Sequence, residues 1–264
     1  MHGVISGRAP NQSEVNGMKI VACYNVKGGI GKTATTVNLA YLAAYEGART
    51  LVWDLDPQGA ASFYFRIKPK VKKGGKGLLS GKKALDEVIK GTDYKYLDLI
   101  PSDFSYRNLD LALDDFKKSD TRLRKLLKPL DKEYDYIFLD CPPSISLVSE
   151  NTLIAADAII VPTIPTTLSL RTLDQILDFC KKMGVAHDKI LTFFSMVDSR
   201  KKLHKQIIEN PPQNVRVLKT RIPYASDIEL MGVHRQPVCV FAKNSRAGKA
   251  YQALWDEFSH LYSN

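Results

Sequence analysis

The sequence predicts an α/β protein with a single domain, built on a mostly parallel, twisted sheet with helices on both faces. Short, continuously apolar runs alternate along the chain with longer stretches of helical apolar spacing. Continuous apolar strands are typical of parallel sheets that are covered on both sides. The 264 residues suffice for one large domain, and no internal repeat or linker divides them.

The predicted elements follow one another from the amino end. The apolar runs indicate strands at 19–25, 49–56, 96–101, 134–140, 158–163 and 189–198. The stretches between them indicate helices at 33–47, 105–129, 145–156, 168–183 and 201–209, with a final amphipathic helix at 246–262. The first helix ends at Gly47, a residue type that often follows a helix C-terminus.

Two segments do not fit this alternation. Residues 1–17 have neither a basic start nor a continuous apolar stretch, so we expect a disordered arm rather than a signal peptide, with the domain at 18–264. Residues 66–83, RIKPKVKKGGKGLLSGKK, are dense in lysine, glycine and serine, and we expect an exposed loop. That loop is either a solvated insertion or a contact with DNA phosphates.

Composition narrows the class of protein. The formal net charge of +10, from 38 Lys and Arg against 28 Asp and Glu, favours a polyanionic partner without requiring one. The four cysteines are widely separated, which argues against a zinc or iron–sulfur site and favours a reduced cytoplasmic protein. No apolar run approaches the roughly 18 residues that a membrane-spanning helix needs.

Residues 25–38, NVKGGIGKTATTVN, have the pattern of a phosphate-binding loop. Glycines at 28, 29 and 31 let successive backbone N–H groups point at phosphate oxygens. The helix that begins near Lys32 adds the positive end of its dipole. Lys32 can reach the β- and γ-phosphates, and the Thr33 hydroxyl can ligate Mg²⁺. Two residues depart from the usual pattern: Val26 stands where glycine is common, and Lys27 is an additional lysine.

Three aspartates end apolar strands. Asp54 and Asp56 occur in WDLDPQG at i and i+2, and Asp140 ends IFLD. Ligands of open parallel sheets bind at the carboxyl ends of the strands, so these carboxylates and the glycine loop should lie at one edge. A Mg²⁺–nucleotide site needs such a carboxylate, usually through water.

The motifs KGGIGKT, DLDPQG and IFLDCPP, in this order, resemble the ParA branch of the ParA/MinD ATPases, whose phosphate-binding loop is a deviant form of the Walker A motif. The resemblance extends from about Met18 to Tyr262. It implies that Lys27 is the family's signature lysine, which crosses to the nucleotide of the partner subunit in an ATP-bound homodimer. Such a cation supplied in trans can neutralise charge that develops on the γ-phosphate.

The resemblance also implies roles for the other site residues. Lys32 holds phosphates, Asp56 positions the attacking water, Asp140 supports Mg²⁺ through water, and Asp54 lies behind the metal ligands. TRIPYAS at 220–226 resembles the family's adenine-side loop. The implied nucleotide-binding residues are Lys27, Gly28, Gly29, Ile30, Gly31, Lys32, Thr33, Ala34 and Pro223.

By the same resemblance, the ATP-bound dimer binds DNA without sequence preference, and a cargo-bound adaptor protein stimulates hydrolysis and release. Repeated cycles on the nucleoid position a chromosome, a plasmid or a large protein complex, in the cytoplasm and without a membrane partner. Turnover without the adaptor is expected to be weak, and DNA binding should be sensitive to salt. The sequence does not identify the cargo.

Several residues differ from the family pattern. Ala34 stands where many relatives have a second threonine, and Asp227 lies near an expected arginine. Other cations must then form the DNA surface. The candidates are Lys201, Lys202, Lys205, Arg216, Lys219, Arg221, Arg235, Lys243, Arg246 and Lys249.

Two alternatives stay open: a MinD-like regulator on a membrane surface, and an ATP-coupled metabolic enzyme on the same scaffold. MinD-like proteins end in a basic amphipathic helix, whereas residues 246–262 carry Asp256 and Glu257 in their last turns. We expect this helix to pack on the core instead. The absence of a substrate domain argues against the metabolic enzyme.

Overall fold

The computed structural model describes residues 17–71, 74–79, 81, 85–115 and 121–262. Within them, one eight-stranded sheet has the order β3-β4-β2-β5-β1-β6-β7-β8. Its strands are β1 Lys19–Cys23, β2 Thr50–Asp54, β3 Lys90–Gly91, β4 Leu97–Ile100, β5 Tyr136–Asp140, β6 Ala158–Thr163, β7 Ile190–Val197 and β8 Arg216–Pro223. Every pair is parallel except β3 with β4, which confirms the mostly parallel sheet.

Successive side chains of the central strands enter two different cores. Ile20 and Ala22 pack in the core on one face, whereas Val21 packs in the core on the other. In strand β2, Trp53 packs in the same core as Ile20, and Val52 packs in the same core as Val21. Because adjacent side chains of a strand point to opposite faces, a strand buried on both sides has an apolar residue at nearly every position.

Helices cover both faces, as predicted. They are α1 Lys32–Tyr45, α2 Ala60–Tyr64, α3 Gly74–Leu78, α4 Leu109–Asp114, α5 Arg122–Leu127, α6 Leu147–Ala155, α7 Thr167–Lys182, α8 Lys202–Glu209, α9 Ser226–His234, α10 Val238–Phe241 and α11 Arg246–His260. Residues of α1, α2, α9, α10 and α11 share the core that contains Val21. Residues of α3 to α7 share the core that contains Ile20.

The six predicted strands and every predicted helix except that at 105–129 are confirmed, with differences in position and length. The first helix begins at Lys32, and Gly47 follows it in the left-handed conformation, φ +100°. The predicted helix at 105–129 is wrong as one element, because a 3-10 turn at Phe104–Asn108 precedes α4 and α5 is separate. Strands β3 and β8 and helices α2, α9 and α10 were not predicted.

The expectation of an exposed loop at 66–83 is wrong in part. Residues 74–78 form helix α3, and Val71, Leu78 and Leu79 are buried in the core. The Val71 N–H donates to Asp103 Oδ2 at 2.8 Å, which holds the segment against the body of the protein. Residues 72, 73, 80 and 82–84 lie outside the described residues.

The carboxyl-terminal helix α11 packs on the core, as predicted. Tyr251, Leu254, Trp255 and Phe258 are each at most 2% exposed. A search of the described residues finds no helix with the length and apolar character to cross a membrane. The predicted arm at 1–17 lies outside the described residues, except for Gly17.

Candidate functional site

The glycine loop joins the carboxyl end of β1 to the start of α1. Gly29 and Gly31 have φ of +70° and +94°, the left-handed region in which a side chain is unfavourable. Gly31 is the N-cap of α1. The loop therefore meets the amino end of a 14-residue helix, where free N–H groups and the helix dipole favour an anion.

Two polar residues that sequence reasoning missed fix the shape of this loop. Asn25 is buried; its Oδ1 accepts from the Lys27 N–H at 2.9 Å and its Nδ2 donates to Pro162 O at 3.0 Å. The Ser195 hydroxyl donates to Ile30 O at 2.9 Å. Ile30 itself is 2% exposed, so it anchors the loop in the core and offers a ligand only its backbone.

The two lysines of the loop have different surroundings. Lys32 is buried, and its Nζ donates to the backbone carbonyl of Lys27 at 3.1 Å. The Lys27 side chain is half-buried, and its ammonium makes no hydrogen bond or ion pair with any residue in the described part of the chain. Lys32 thus closes its own loop, whereas Lys27 is free to contact another group.

Asp54 and Asp140 face each other on neighbouring strands. They are in register between β2 and β5, and both are completely buried. Asp54 Oδ2 accepts from both the N–H and the hydroxyl of Ser62, at 2.8 and 2.7 Å. Asp140 Oδ1 accepts from the Thr36 hydroxyl at 3.3 Å. Within the described chain, Asp54 Oδ1 and Asp140 Oδ2 have no hydrogen-bond partner.

The carboxylate pair is electrostatically unfavourable as it stands. Burial, together with the neighbouring Asp56 charge, raises the pKa of Asp54 to about 6, although the hydrogen bonds from Ser62 oppose the rise. Burial raises the pKa of Asp140 well above its ordinary value, and the Asp54 charge adds to this. The Thr33 hydroxyl and the Lys32 charge lower it. Such a pair suits a cation that neutralises both carboxylates.

Asp56 lies on the turn after β2 and faces open space. Its Oδ1 accepts from the Gln58 N–H at 2.9 Å. The residue lines a cleft of about 350 Å³ that the glycine loop also lines. The strand-end argument predicted only that the three aspartates share one edge of the sheet with the glycine loop; of the three, Asp56 alone lines this cleft.

The cleft brings together most of the predicted nucleotide residues. The predicted residues on its wall are Gly28, Gly29, Gly31, Lys32, Thr33, Ala34, Asp56 and Pro223. Lys27, Ile30, Asp54 and Asp140 do not line it. Ile222, Tyr224 and Ala225, from the TRIPYAS segment, also line the cleft. The lining further includes residues that sequence reasoning did not assign to the site: Tyr64, Ser195, Ile228 and Glu229.

Met196 is another wall residue, at the end of β7. Its φ of +53° is unusual for a side chain of this size, and it lies where the register of β7 and β8 shifts. The bulge brings the β7 end and Pro223 to the same wall. The bulge itself had no signal in the sequence.

The DNA candidates are spread over the carboxyl-terminal third of the chain. They lie at the start of α8, along the edge strand β8, and around the first turn of α11. All are exposed except Arg235. Arg235 Nε donates to Phe63 O at 3.0 Å, and its guanidinium lies 4.6 Å from the centre of the Phe63 ring. The Arg235 guanidinium is therefore already in contact with a residue of α2.

Groups of three or more His, Cys, Asp or Glu side chains that could hold a metal by themselves do not occur in the described chain. All four cysteines are buried and unpaired. A cation here would share its ligands with a bound phosphate, which is how Mg²⁺ usually binds at phosphate sites.

Comparisons with known proteins agree with this geometry. A family model described as "AAA domain" matches residues 18–193. The sporulation initiation inhibitor protein Soj of Bacillus subtilis is 32% identical over 246 residues, 90% of this chain and 97% of Soj. The chromosome partitioning protein ParA of Myxococcus xanthus is 32% identical over 251 residues, 90% of this chain and 87% of that protein.

Solved structures show the same fold. A plasmid partition protein of Borrelia burgdorferi B31 bound to AMPPNP superposes with a TM-score of 0.79 at 25% identity, over 92% of this chain and 99% of that chain. Cobyrinic acid a,c-diamide synthase of Mycobacterium smegmatis, with a bound ATP analogue and magnesium, gives 0.78 at 24% identity, over 93% and 95%. Because a metabolic enzyme has this fold too, the fold alone does not select a function.

Proposed function

The chain belongs to the ParA family, and from this premise we propose that it is an ATPase that dimerises with ATP, binds DNA without sequence preference and positions a cargo. One observation carries the nucleotide part of the proposal. The glycine loop, Asp56 and Pro223 line the same cleft, although they are far apart in the sequence. A relative of the same fold binds the ATP analogue AMPPNP.

In this proposal the phosphates lie on the glycine loop and the amino end of α1. Gly28, Gly29 and Gly31 offer backbone N–H groups, and Lys32 turns its ammonium from the Lys27 carbonyl to the phosphates. The base lies at the far end of the cleft near Pro223, whose surroundings are mostly apolar. Ala34 contributes only its backbone.

The buried carboxylates fit a magnesium ion. The unpartnered oxygens Asp54 Oδ1 and Asp140 Oδ2 suit a cation or its bound water. Thr33 would ligate the ion directly, Asp140 would hold it through water, and Asp54 would lie behind. When bound, the ion would neutralise charge on the β- and γ-phosphates.

The chain's own residues would divide the remaining work. Asp56, on the open wall of the cleft, would accept a hydrogen bond from the attacking water and orient it. The Lys27 ammonium has no partner within the described part of its own chain, which supports a role in the nucleotide site of a second subunit. Hydrolysis would therefore depend on dimerisation.

The exposed lysines and arginines of α8, β8 and α11 support non-specific contact with DNA phosphates. The net charge of +10 agrees with this partner. A cargo-bound adaptor that stimulates hydrolysis completes the cycle, which would take place in the cytoplasm on the nucleoid.

Binding of the Asp56→Ala variant to random-sequence duplex DNA tests the proposal, with ATP, with ADP and without nucleotide, over a series of salt concentrations. The variant should bind ATP but hydrolyse it poorly, which holds the ATP state for measurement. We expect binding with ATP alone, and a steep decrease with salt. Asp178→Ala, which removes an exposed carboxylate on α7 away from the cleft, serves as a matched control.

Three other results would contradict the proposal in different ways. Equal DNA binding in all nucleotide states would leave an ATPase with incidental affinity for DNA. ATP-dependent pelleting with anionic vesicles, without DNA binding, would favour a membrane-surface regulator. Binding of neither would favour a metabolic enzyme.

A further inference from the structure

Two buried serines outside the three motifs join the aspartates of the candidate site. Ser62 and Ser102 are both 0% exposed. Ser62 donates its N–H and its hydroxyl to Asp54 Oδ2. The Ser102 N–H in turn donates to Ser62 Oγ at 2.9 Å. Because Ser102 N–H occupies the acceptor side of that hydroxyl, the hydroxyl proton is directed at Asp54.

The same Ser102 reaches the turn that carries Asp56. Its hydroxyl donates to the backbone carbonyl of Asp56 in a short hydrogen bond. That turn is confined sterically as well. Gly59 has φ of +67°, and a Cβ there would lie 3.1 Å from Pro69 Cβ and 3.6 Å from Ser102 Cβ. The Asp56 turn is thus held by a hydrogen bond and by close packing at its other end.

We propose that Ser62 and Ser102 form a two-serine clamp that fixes Asp56 relative to Asp54, with Ser102 as a positioning residue for Asp56. This inference rests on the proposed function, in which Asp56 orients the attacking water. Ser102 does not line the cleft. It acts by holding the backbone from which the Asp56 carboxylate projects.

The hydrogen bonds distinguish this role from general support of the fold. The Asp56 carbonyl also accepts from the Gly59 N–H at 2.9 Å. Loss of the Ser102 hydroxyl therefore leaves no buried acceptor without a partner, and the cost to folding should be small. What changes is the freedom of the turn, and displacement of a catalytic group by about 1 Å can cost up to about 100-fold in rate.

The test is Ser102→Ala, measured by release of radiolabelled phosphate from ATP with Mg²⁺, and by binding of a fluorescent ATP analogue. We expect kcat to fall on the order of tenfold, with nucleotide affinity and Tm unchanged. In an Asp56→Ala background, Ser102→Ala should cause no further loss, because the group that it positions is absent.

Thr50→Val is the matched control. Thr50 is also buried and donates its hydroxyl to a backbone carbonyl, that of Ala48 at 3.0 Å, but it lies at the opposite end of β2 from Asp54. Its kcat should equal that of the wild type. Ser62→Ala removes the hydroxyl that donates to Asp54 and accepts from the Ser102 N–H. It should lower kcat at least as much as Ser102→Ala.

The outcomes separate the clamp from the proposed function. A wild-type rate in Ser102→Ala, or a further loss in the Asp56→Ala background, would overturn the clamp alone. Absence of hydrolysis by the wild-type chain, with and without duplex DNA, would overturn the proposed function and the clamp with it. A selective and non-additive fall in kcat supports the clamp.

Discussion

The buried carboxylates predict that the ligand-free protein loses stability as the pH rises, and that Asp54→Asn removes much of this loss. The pKa of Asp54 is raised by burial from 3.8 to about 6. The folded chain therefore holds this proton more tightly than the unfolded chain does. Between about pH 4 and 6 the folded state binds more protons, so the free energy of unfolding decreases across that window and stays low above it.

The size of the effect follows from the shift. A change of about 2 pKa units corresponds to about 3 kcal/mol. Asparagine keeps an oxygen that can accept from the Ser62 N–H and hydroxyl, and the weaker hydrogen bonds of a neutral oxygen are already included in the pKa shift. We expect Asp54→Asn to be about 1 to 3 kcal/mol more stable than the wild type at pH 7.5, and equal to it near pH 4. Removal of this charge also relieves Asp140.

Urea unfolding in EDTA without nucleotide, at several pH values from about 3 to 8, measures this difference and also covers the range below pH 4 in which the control changes. Asp135→Asn is a control with the opposite sign. Hydrogen bonds and the charge of Arg49 lower the pKa of Asp135, so its contribution is present above pH 4 and lost as the pH falls. That pair is exposed, and the effect should be below about 1 kcal/mol. A destabilised Asp54→Asn, or a difference that does not change with pH, would refute the reasoning.

Three further predictions concern the loop and the last helix. Lys27→Gln should bind ATP yet stay monomeric in light scattering. An ATP-dependent dimer of this variant would contradict the proposal that Lys27 contacts the nucleotide of the partner subunit. Gly31→Ala places a Cβ on a left-handed residue, 3.1 Å from Ser195 Oγ. The variant should lower the free energy of unfolding by about 1 to 3 kcal/mol. An unchanged midpoint of urea unfolding would show that alanine is not strained at this position. Trp255→Ala should lower the free energy of unfolding by about 3 to 5 kcal/mol, because Trp255 is buried and its indole N–H donates to Glu46 Oε2 at 2.8 Å. Unchanged stability together with altered pelleting with vesicles would instead indicate that helix α11 faces a membrane.

Sequence reasoning found those parts of the fold whose signals are local. Apolar runs located six strands, because a strand buried on both faces is apolar at every position. Strand β8 was not predicted because it has no continuous apolar run. It lies at the edge of the sheet, where Arg216, Lys219 and Arg221 are exposed between more buried positions. Its edge is covered by Glu257, which accepts from the N–H groups of Lys219 and Thr220. No local sequence pattern predicts this contact between Glu257 and strand β8.

The same distinction applies to the candidate site. Glycine spacing and strand-end aspartates are local patterns. The glycines and Asp56 that they indicated line the cleft, whereas Asp54 and Asp140 do not. Asn25, Ser62, Ser102 and Ser195 were missed because a single polar residue gains its role from a distant partner. Ser195 lies 165 positions from Ile30, and Ser102 lies 46 positions from Asp56. Only the fold brings such partners together.

The two lysines of the loop give the sharpest constraint on how the site is completed. The Lys32 ammonium is held by the Lys27 carbonyl, inside the cleft that its own chain forms. The Lys27 side chain does not line that cleft. If Lys27 acts in trans, a mixed dimer of wild-type and Lys27→Gln subunits has one site that lacks the lysine and one that keeps it. Hydrolysis would then occur in the mutant subunit's own site, which the wild-type Lys27 reaches. Inactivating that site by Asp56→Ala in the same Lys27→Gln chain should silence the mixed dimer, whereas a role in cis predicts that the wild-type subunit continues to turn over.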